Sequence, residues 1–305
     1  MTQGTFIAVE WGTTRMSARL IATDGSVLDR VIEDVRLVNL DHAGKFSRLR
    51  GLRSRWPDAM DPMLLAGMIG SPLGIGSNTQ LPCPATARQI ATHARQVQLE
   101  DLSLTILPGL SCTSRFGDPD VLRGEEVSAL GLIDQTEAGD ALLLSVPGMH
   151  GKWLQLSQAR IVSFHTSMTV ELYRALEHRS ILAPLMTAPA CDGNAFRAGL
   201  DRAADGRGLA RLLFSARTAV MARQFSEKEA ASYLWGLLIG ADVSENLQSM
   251  TDRACFITGG DEVAPLFCAA INYLGMEARL VDNDQLSATG FARLRQMMPE
   301  LEHSA

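Results

Sequence analysis

Near the N-terminus the chain reads Glu10-Trp11-Gly12-Thr13-Thr14-Arg15, at the end of a short apolar run that begins at Phe6. A tight turn at Gly12 can wrap backbone N–H groups around a phosphate, with the hydroxyls of Thr13 and Thr14 and the cation of Arg15 as further donors. Glu10 has the chemistry to hold Mg2+ through water, because Mg2+ sites often rely on one or two carboxylates. A second glycine-centred turn, Pro147-Gly148-Met149-His150-Gly151-Lys152, carries His150 and Lys152. Either turn alone would pass for an ordinary polar hairpin; two of them facing each other make a two-sided phosphate clamp. Glu125 and Glu126 follow Arg123-Gly124 where a loop enters a helix, a place whose dipole favours carboxylates. They are helix-start acids, or one of them is a general base that takes a proton from an attacking hydroxyl. Gly259-Gly260 ends a strand, so the backbone there can approach a ligand closely and aim helix N–H groups at it.

Strands and helices must hold these groups. Phe6–Trp11 reads as a strand, followed by a returning strand to about Thr23, the Asp24-Gly25 turn and a third strand. The plan reappears with Ala141–Val146, Lys152–Leu156 and Arg160–Phe164, followed by a helical stretch from about Thr169. Repeated strand–turn–strand–strand units suggest an internal duplication in which each copy founds one lobe. Between them, Met63 to Ser71 reads as a buried strand running into a glycine-rich loop, Gly67 to Gly76, and Ser103 to Leu107 as another strand. After Gly260, the residues Val263, Leu266, Phe267, Ala270, Ile271 and Leu274 form a one-sided helical stripe. Gly236 and Gly240 sit on a helix and read as close helix packing. His165 lies in a strand as a structural or lining residue, and His42, His93, His178 and His303 read as surface residues. Strands alternating with helices predict α/β lobes with mixed sheets, divided into residues 1–136 and 137–305.

The 305 residues are 46% hydrophobic and 20% charged, enough apolar material for a real core and against disorder. Lys plus Arg number 28 against 34 Asp plus Glu, a net charge of −6, so no basic balance points to nucleic acid or an anionic membrane. No apolar run approaches the roughly 18–20 residues that cross a bilayer, and the N-terminus shows no signal-peptide pattern. Five cysteines without a CxxC pair read as buried free thiols in a reducing compartment. A soluble cytoplasmic protein is expected.

Taken in order, Trp11-Gly12-Thr13-Thr14, Ala66-Gly67-Met68-Ile69-Gly70-Ser71, Leu107-Pro108-Gly109-Leu110, Arg123-Gly124-Glu125-Glu126, Pro147-Gly148-Met149-His150 with Lys152-Trp153, Met168-Thr169 with Glu171-Leu172, and Gly236–Ala241 resemble the 2-dehydro-3-deoxygalactonokinase family, a sugar-kinase branch of the actin/hexokinase/Hsp70 superfamily. The resemblance implies an α/β fold of two ribonuclease-H-like lobes, actin/hexokinase-type, with ATP and Mg2+ in the active-site cleft between them. It implies transfer of the γ-phosphoryl group to the 6-hydroxyl of a 2-keto-3-deoxy sugar acid in D-galactonate breakdown. By the same resemblance Gly12, Thr13, Thr14 and Arg15 serve the first phosphate hairpin, and Gly148, His150 and Lys152 the second. Gly259 and Gly260 lie on the adenosine side, and Glu125 or Glu126 is the base. Gly67, Gly70, Ser71 and Arg123 face the sugar acid, and Glu10 the metal. The chain departs from related kinases in having Glu10 in place of Asp, a cation at Arg15 with Ser17 where the family usually has Arg, and Gly259-Gly260-Asp261 in place of Gly-Thr-Ser. Two other activities share the pattern: an exopolyphosphatase-like hydrolase, and a non-catalytic sugar-acid or nucleotide sensor. A homodimer would be ordinary for a chain of this size.

Overall fold

A computed structural model describes residues 4–77, 80–99, 101–135, 140–146, 148–206, 208–250 and 254–298, with the side chains of 247–250 excepted. The chain runs β1 (Thr5–Trp11), β2 (Met16–Ala22), β3 (Val27–Glu33), α1 (His42–Arg55), β4 (Met60–Ala66), β5 (Gln80–Pro82), β6 (Ala85–Thr86), α2 (Ala87–Thr92), β7 (Arg95–Leu99), β8 (Leu102–Ile106), β9 (Gly109–Thr113), β10 (Pro119–Leu122) and α3 (Glu125–Gln135). It continues with β11 (Ala141–Val146), β12 (Gly151–Ser157), β13 (Arg160–Ser167), α4 (Thr169–Arg179), α5 (Asn194–Ala204), α6 (Leu209–Met221), α7 (Ala230–Met250), β14 (Ala254–Gly259), α8 (Ala264–Tyr273), β15 (Ala278–Leu280) and α9 (Asn283–Met297).

Two compact units result. Unit 1 comprises Met1–Gly139, Leu154–His165 and Asp282–Ala305; unit 2 comprises Asp140–Trp153 and Thr166–Val281. The expected cut between 136 and 137 lies outside the described residues. The last helix, expected in the second lobe, groups with unit 1, because α9 packs on α3 and over β2. A Cβ on Gly131 of α3 would overlap the Leu286 carbonyl of α9, and one on Gly290 would overlap that of Val127, so these glycines let the two helix backbones touch.

Unit 1 is built on a six-stranded sheet of order β3-β2-β1-β4-β8-β7. Strand β1 sits in its interior, antiparallel to β2 and parallel to β4, and its Phe6-Ile7-Ala8-Val9 run is wholly buried, as a strand covered on both faces requires. A three-stranded sheet, β10-β9-β5, accompanies it. The other six-stranded sheet has the order β15-β14-β11-β12-β13-β6, with β11, β14 and β15 parallel. Reading from the third hairpin strand, both sheets show the succession third, second, first, then two strands parallel to the first. That repeated order is the duplication expected from the two hairpins.

In unit 2 the helix stripe from Val263 to Ile271 is buried as expected, in a core with Leu142, Leu144, Phe196 and Leu234. Gly236 and Gly240 of α7 lie against Phe196, Leu200 and Ala203 of α5, which is the close helix packing the pattern suggests. The cysteines require a correction: all five are free, but only Cys255 is buried, and Cys191 is exposed. Cys191 falls in the turn ahead of α5, where its backbone N–H donates to the Ser232 hydroxyl at 3.0 Å and its Sγ lies 3.8 Å from the same oxygen. Among the described residues no helix is long and apolar enough to cross a membrane.

Candidate active site

Unit 1 gathers the ends of β1 and β4 and the start of α3. Glu10 is paired with Ala66 in the parallel register, so the turn after β1 and the glycine loop after β4 leave the sheet side by side. Gly67 has φ +89, and a Cβ there would come within 2.8 Å of the Trp11 carbonyl. Gly124, at φ +121, brings the loop before α3 against Gly67, whose Cα lies 3.3 Å from where its Cβ would be. Only glycine meets both demands. The Gly12 turn, the Gly67 loop and the Arg123-Gly124-Glu125-Glu126 corner are therefore one constellation.

The first turn closes with the Gly12 N–H donating to the Arg15 carbonyl at 2.9 Å, and the Leu37 N–H holds the Thr13 carbonyl at 2.9 Å. Thr13 and Thr14 are exposed, as a phosphate cradle needs. Arg15 is exposed too, with its Nε donating to Asp34 at 2.8 Å. The cation beside Glu10 is instead Arg19, a residue the sequence reading passed over. Its Nη1 donates to Glu10 Oε2 at 2.5 Å and its Nη2 to Asp284 Oδ1 at 2.6 Å, at 1% exposure. The two carboxylates raise its proton affinity against the opposing cost of burial. Ser287 of α9 donates to Glu10 Oε1 at 3.1 Å. Each Glu10 oxygen thus already accepts one hydrogen bond and its charge is matched, which fits contact with a metal-bound water and not direct ligation. No group of three or more metal-binding side chains stands together among the described residues.

Glu125 and Glu126 occupy the first turn of α3 in different surroundings. Glu125 is half-buried and accepts from the Arg123 N–H at 3.2 Å. Glu126 is fully buried; its Oε2 accepts from the Gly124 N–H at 2.6 Å, and its Oε1 has no partner among the described residues. Burial first, and the Glu125 charge second, push the Glu126 carboxyl up to about 8. Arg123 donates from Nη1 to the Gly70 carbonyl at 3.0 Å, so it braces the glycine loop and leaves a cation beside the carboxyl pair. The Ser71 hydroxyl donates to the Met68 carbonyl at 2.7 Å and accepts from the Leu73 N–H at 3.2 Å, and the residue is buried. Ser71 therefore shapes the loop with its own side chain.

Unit 2 brings together the second turn and the Gly259-Gly260 corner, since Val146 at the end of β11 is the register partner of Gly259 on β14. Gly259 has φ +152, a Cβ there would overlap the Val146 carbonyl, and the Gly260 N–H donates to that carbonyl at 3.2 Å. Gly148 and Gly260 have open space where a Cβ would stand. His150 Nε2 lies 2.6 Å from Glu171 Oε2 at the surface, and Lys152 Nζ donates to Thr166 Oγ1. Pro147 lies outside the described residues. Beneath the turn, buried Asp242 of α7 accepts from Trp153 Nε1 at 2.9 Å, from Thr169 Oγ1 at 2.6 Å and from Ser167 Oγ. Asp242 was visible in the sequence as a lone carboxylate in an apolar helix, and Arg19 as a lone cation in an apolar strand. Neither signal names a partner.

Two ribonuclease-H-like sheets that share the succession third, second, first and two further parallel strands define an α/β fold of the actin/hexokinase type. The model of the 2-keto-3-deoxy-galactonokinase family matches residues 10–294, and the chain belongs to that family. A probable 2-dehydro-3-deoxygalactonokinase of Rhizobium meliloti (strain 1021) is 30% identical over 298 residues, covering 95% of this chain and 96% of the relative. The 2-dehydro-3-deoxygalactonokinase of Escherichia coli (strain K12) is 27% identical over 286 residues, 93% of this chain and 95% of the relative. A crystal structure of a Sinorhizobium meliloti protein assigned to the same kinase superposes with a TM-score of 0.87 at 28% identity, over 96% of this chain and 99% of that one.

Proposed function

We propose that the chain transfers the γ-phosphoryl group of Mg-ATP to the 6-hydroxyl of 2-dehydro-3-deoxy-D-galactonate. The observation that carries this reading is the family match over residues 10–294, joined to a buried carboxyl at the head of α3 whose Oε1 has no partner among the described residues. Unit 1 supplies the sugar-acid side through Gly67, Gly70, Ser71 and Arg123, and unit 2 the nucleotide side through Gly148, His150, Lys152, Gly259 and Gly260. Backbone N–H groups and exposed hydroxyls at Gly12, Thr13 and Thr14 are suited to phosphate oxygens, with Arg15 beside them.

Glu126 is the proton acceptor. Its Oε1 takes the proton of the attacking 6-hydroxyl as the O6–P bond forms and the bond from the γ-phosphorus to the β,γ-bridging oxygen breaks, releasing ADP. The neighbouring Glu125 charge strengthens its proton affinity. Arg123 neutralises part of the charge on the pair. Glu10 would hold the magnesium ion through water, and the ion would neutralise phosphate charge when Mg-ATP is bound. Positioning and charge neutralisation supply most of the rate in such transfers.

A coupled ADP-release assay tests the reading, with Mg-ATP and either 2-keto-3-deoxygalactonate or its gluconate epimer. Acid-dependent ADP release is expected, faster with the galactonate. Absence of turnover with both acids would refute it.

A further inference from the structure

Among the described residues two cations are buried, Arg19 at 1% exposure and Lys45 at 5%. Arg19 faces two carboxylates. Lys45, near the start of α1, has one partner: its Nζ donates to the Leu73 carbonyl at 2.7 Å, and no carboxylate pairs with it among the described residues. An ammonium carries three donors, and taking its charge out of water is costly without a counter-charge. One carbonyl leaves two donors and the whole charge unmatched.

That carbonyl belongs to the Gly67–Gly76 loop, where Arg123 holds the Gly70 carbonyl three residues earlier. The two cations therefore mark two positions on one loop. Arg123 stands with Glu125 and Glu126, the place of the reacting hydroxyl. In a 2-keto-3-deoxy sugar acid the carboxylate is C1 and the reacting hydroxyl is on C6, at opposite ends of the carbon chain. The carboxylate accordingly needs a cation on the loop away from the glutamate pair, and Lys45 is the buried cation with its charge unspent. Low exposure makes such a pairing stronger than a surface contact.

We propose that Lys45 binds the C1 carboxylate of the sugar acid and so selects acids over neutral sugars, an assignment that rests on the kinase reading above. Three variants separate a ligand cation from a loop brace. Lys45→Gln keeps an N–H donor for the Leu73 carbonyl and loses the charge; Lys45→Met loses both; Lys45→Arg keeps the charge. The expected result for Lys45→Gln is a rise of about tenfold or more in KM for the acid, with KM for ATP within about twofold and an unchanged melting temperature. Lys45→Arg recovers part of the acid affinity. An acid KM within about twofold of the parent in Lys45→Gln would overturn the assignment, as would parallel losses of ATP affinity and melting temperature. If the parent protein shows no acid-dependent turnover, the kinase reading falls, and calorimetry with the acid alone decides the site. Binding that Lys45→Gln abolishes upholds the carboxylate contact, and no binding to the parent rejects it.

Discussion

Glu126 is a carboxyl taken out of water and set beside a second carboxylate, with one oxygen tied to the Gly124 N–H and the other without a partner among the described residues. With its proton affinity raised to about 8, the folded protein keeps that proton at pH values where the unfolded chain, at the usual carboxylate value near 4.5, has released it. The folded state then binds more protons than the unfolded one between about pH 4.5 and 8, so stability falls as pH rises through that window and levels off above it. Glu126→Gln is expected to flatten this slope, which thermal melting from pH 4.5 to 8.5, compared with the parent, would show. The same group predicts a kinetic limb: kcat/KM should climb toward pH 8, because only about a tenth of a base with that value is ionised at pH 7. Loss of the limb together with a fall of about a hundredfold or more in kcat for Glu126→Gln would mark it as the base. A surviving limb would shift that role to Glu125.

The elements owe their placement to a few buried polar ties. Arg19 binds β2 to Glu10 on β1 and to Asp284 at the head of α9, and Arg30 of β3 donates to the same Asp284 at 2.5 Å. Ser287 joins the group through Glu10 and lies 3.0 Å from Ser128 of α3. Arg19→Met leaves the partly buried Glu10 without its cation and Asp284 with Arg30 alone, a loss of about 3 kcal/mol in a denaturant titration. A loss below about 0.5 kcal/mol would mean that solvent already screens the group. Asp242 does the corresponding work in unit 2, where one buried carboxylate gathers Trp153 of β12, Ser167 of β13 and Thr169 of α4. It thereby fixes the strand that bears Lys152.

For the molecule, the consequential fact is that α9, the end of the chain, is a structural part of unit 1, which is otherwise built mostly from its beginning. Leu286, Phe291 and Leu294 of α9 are buried, as are Ala288 and Ala292. Burial of the three large side chains alone is worth on the order of 5–9 kcal/mol, comparable to the whole stability of a typical domain. A chain ending at Val281 is therefore expected to lose the cooperative unfolding of unit 1. Hydrogen exchange would show the loss as unprotected amides in β1, β2 and α3. Retained protection there would mean that the sheet stands without its helix.

The ordered blocks from Trp11-Gly12-Thr13-Thr14 to Gly236–Ala241 carried the resemblance to the kinase family that the family match bears out, because tight turns and helix starts are local features that short segments carry. Apolar periodicity likewise placed the strands of both hairpin units and the α8 stripe. Sequence left Glu125 and Glu126 equivalent, since burial depends on what packs over α3, and α9 arrives there from more than 150 positions away. For the same reason nothing in the sequence around Arg19, Lys45 and Asp242 names what they bind. Their partners Asp284, Leu73 and Trp153 are remote along the chain, and only tertiary packing decides which charges meet, which are buried and which remain uncompensated.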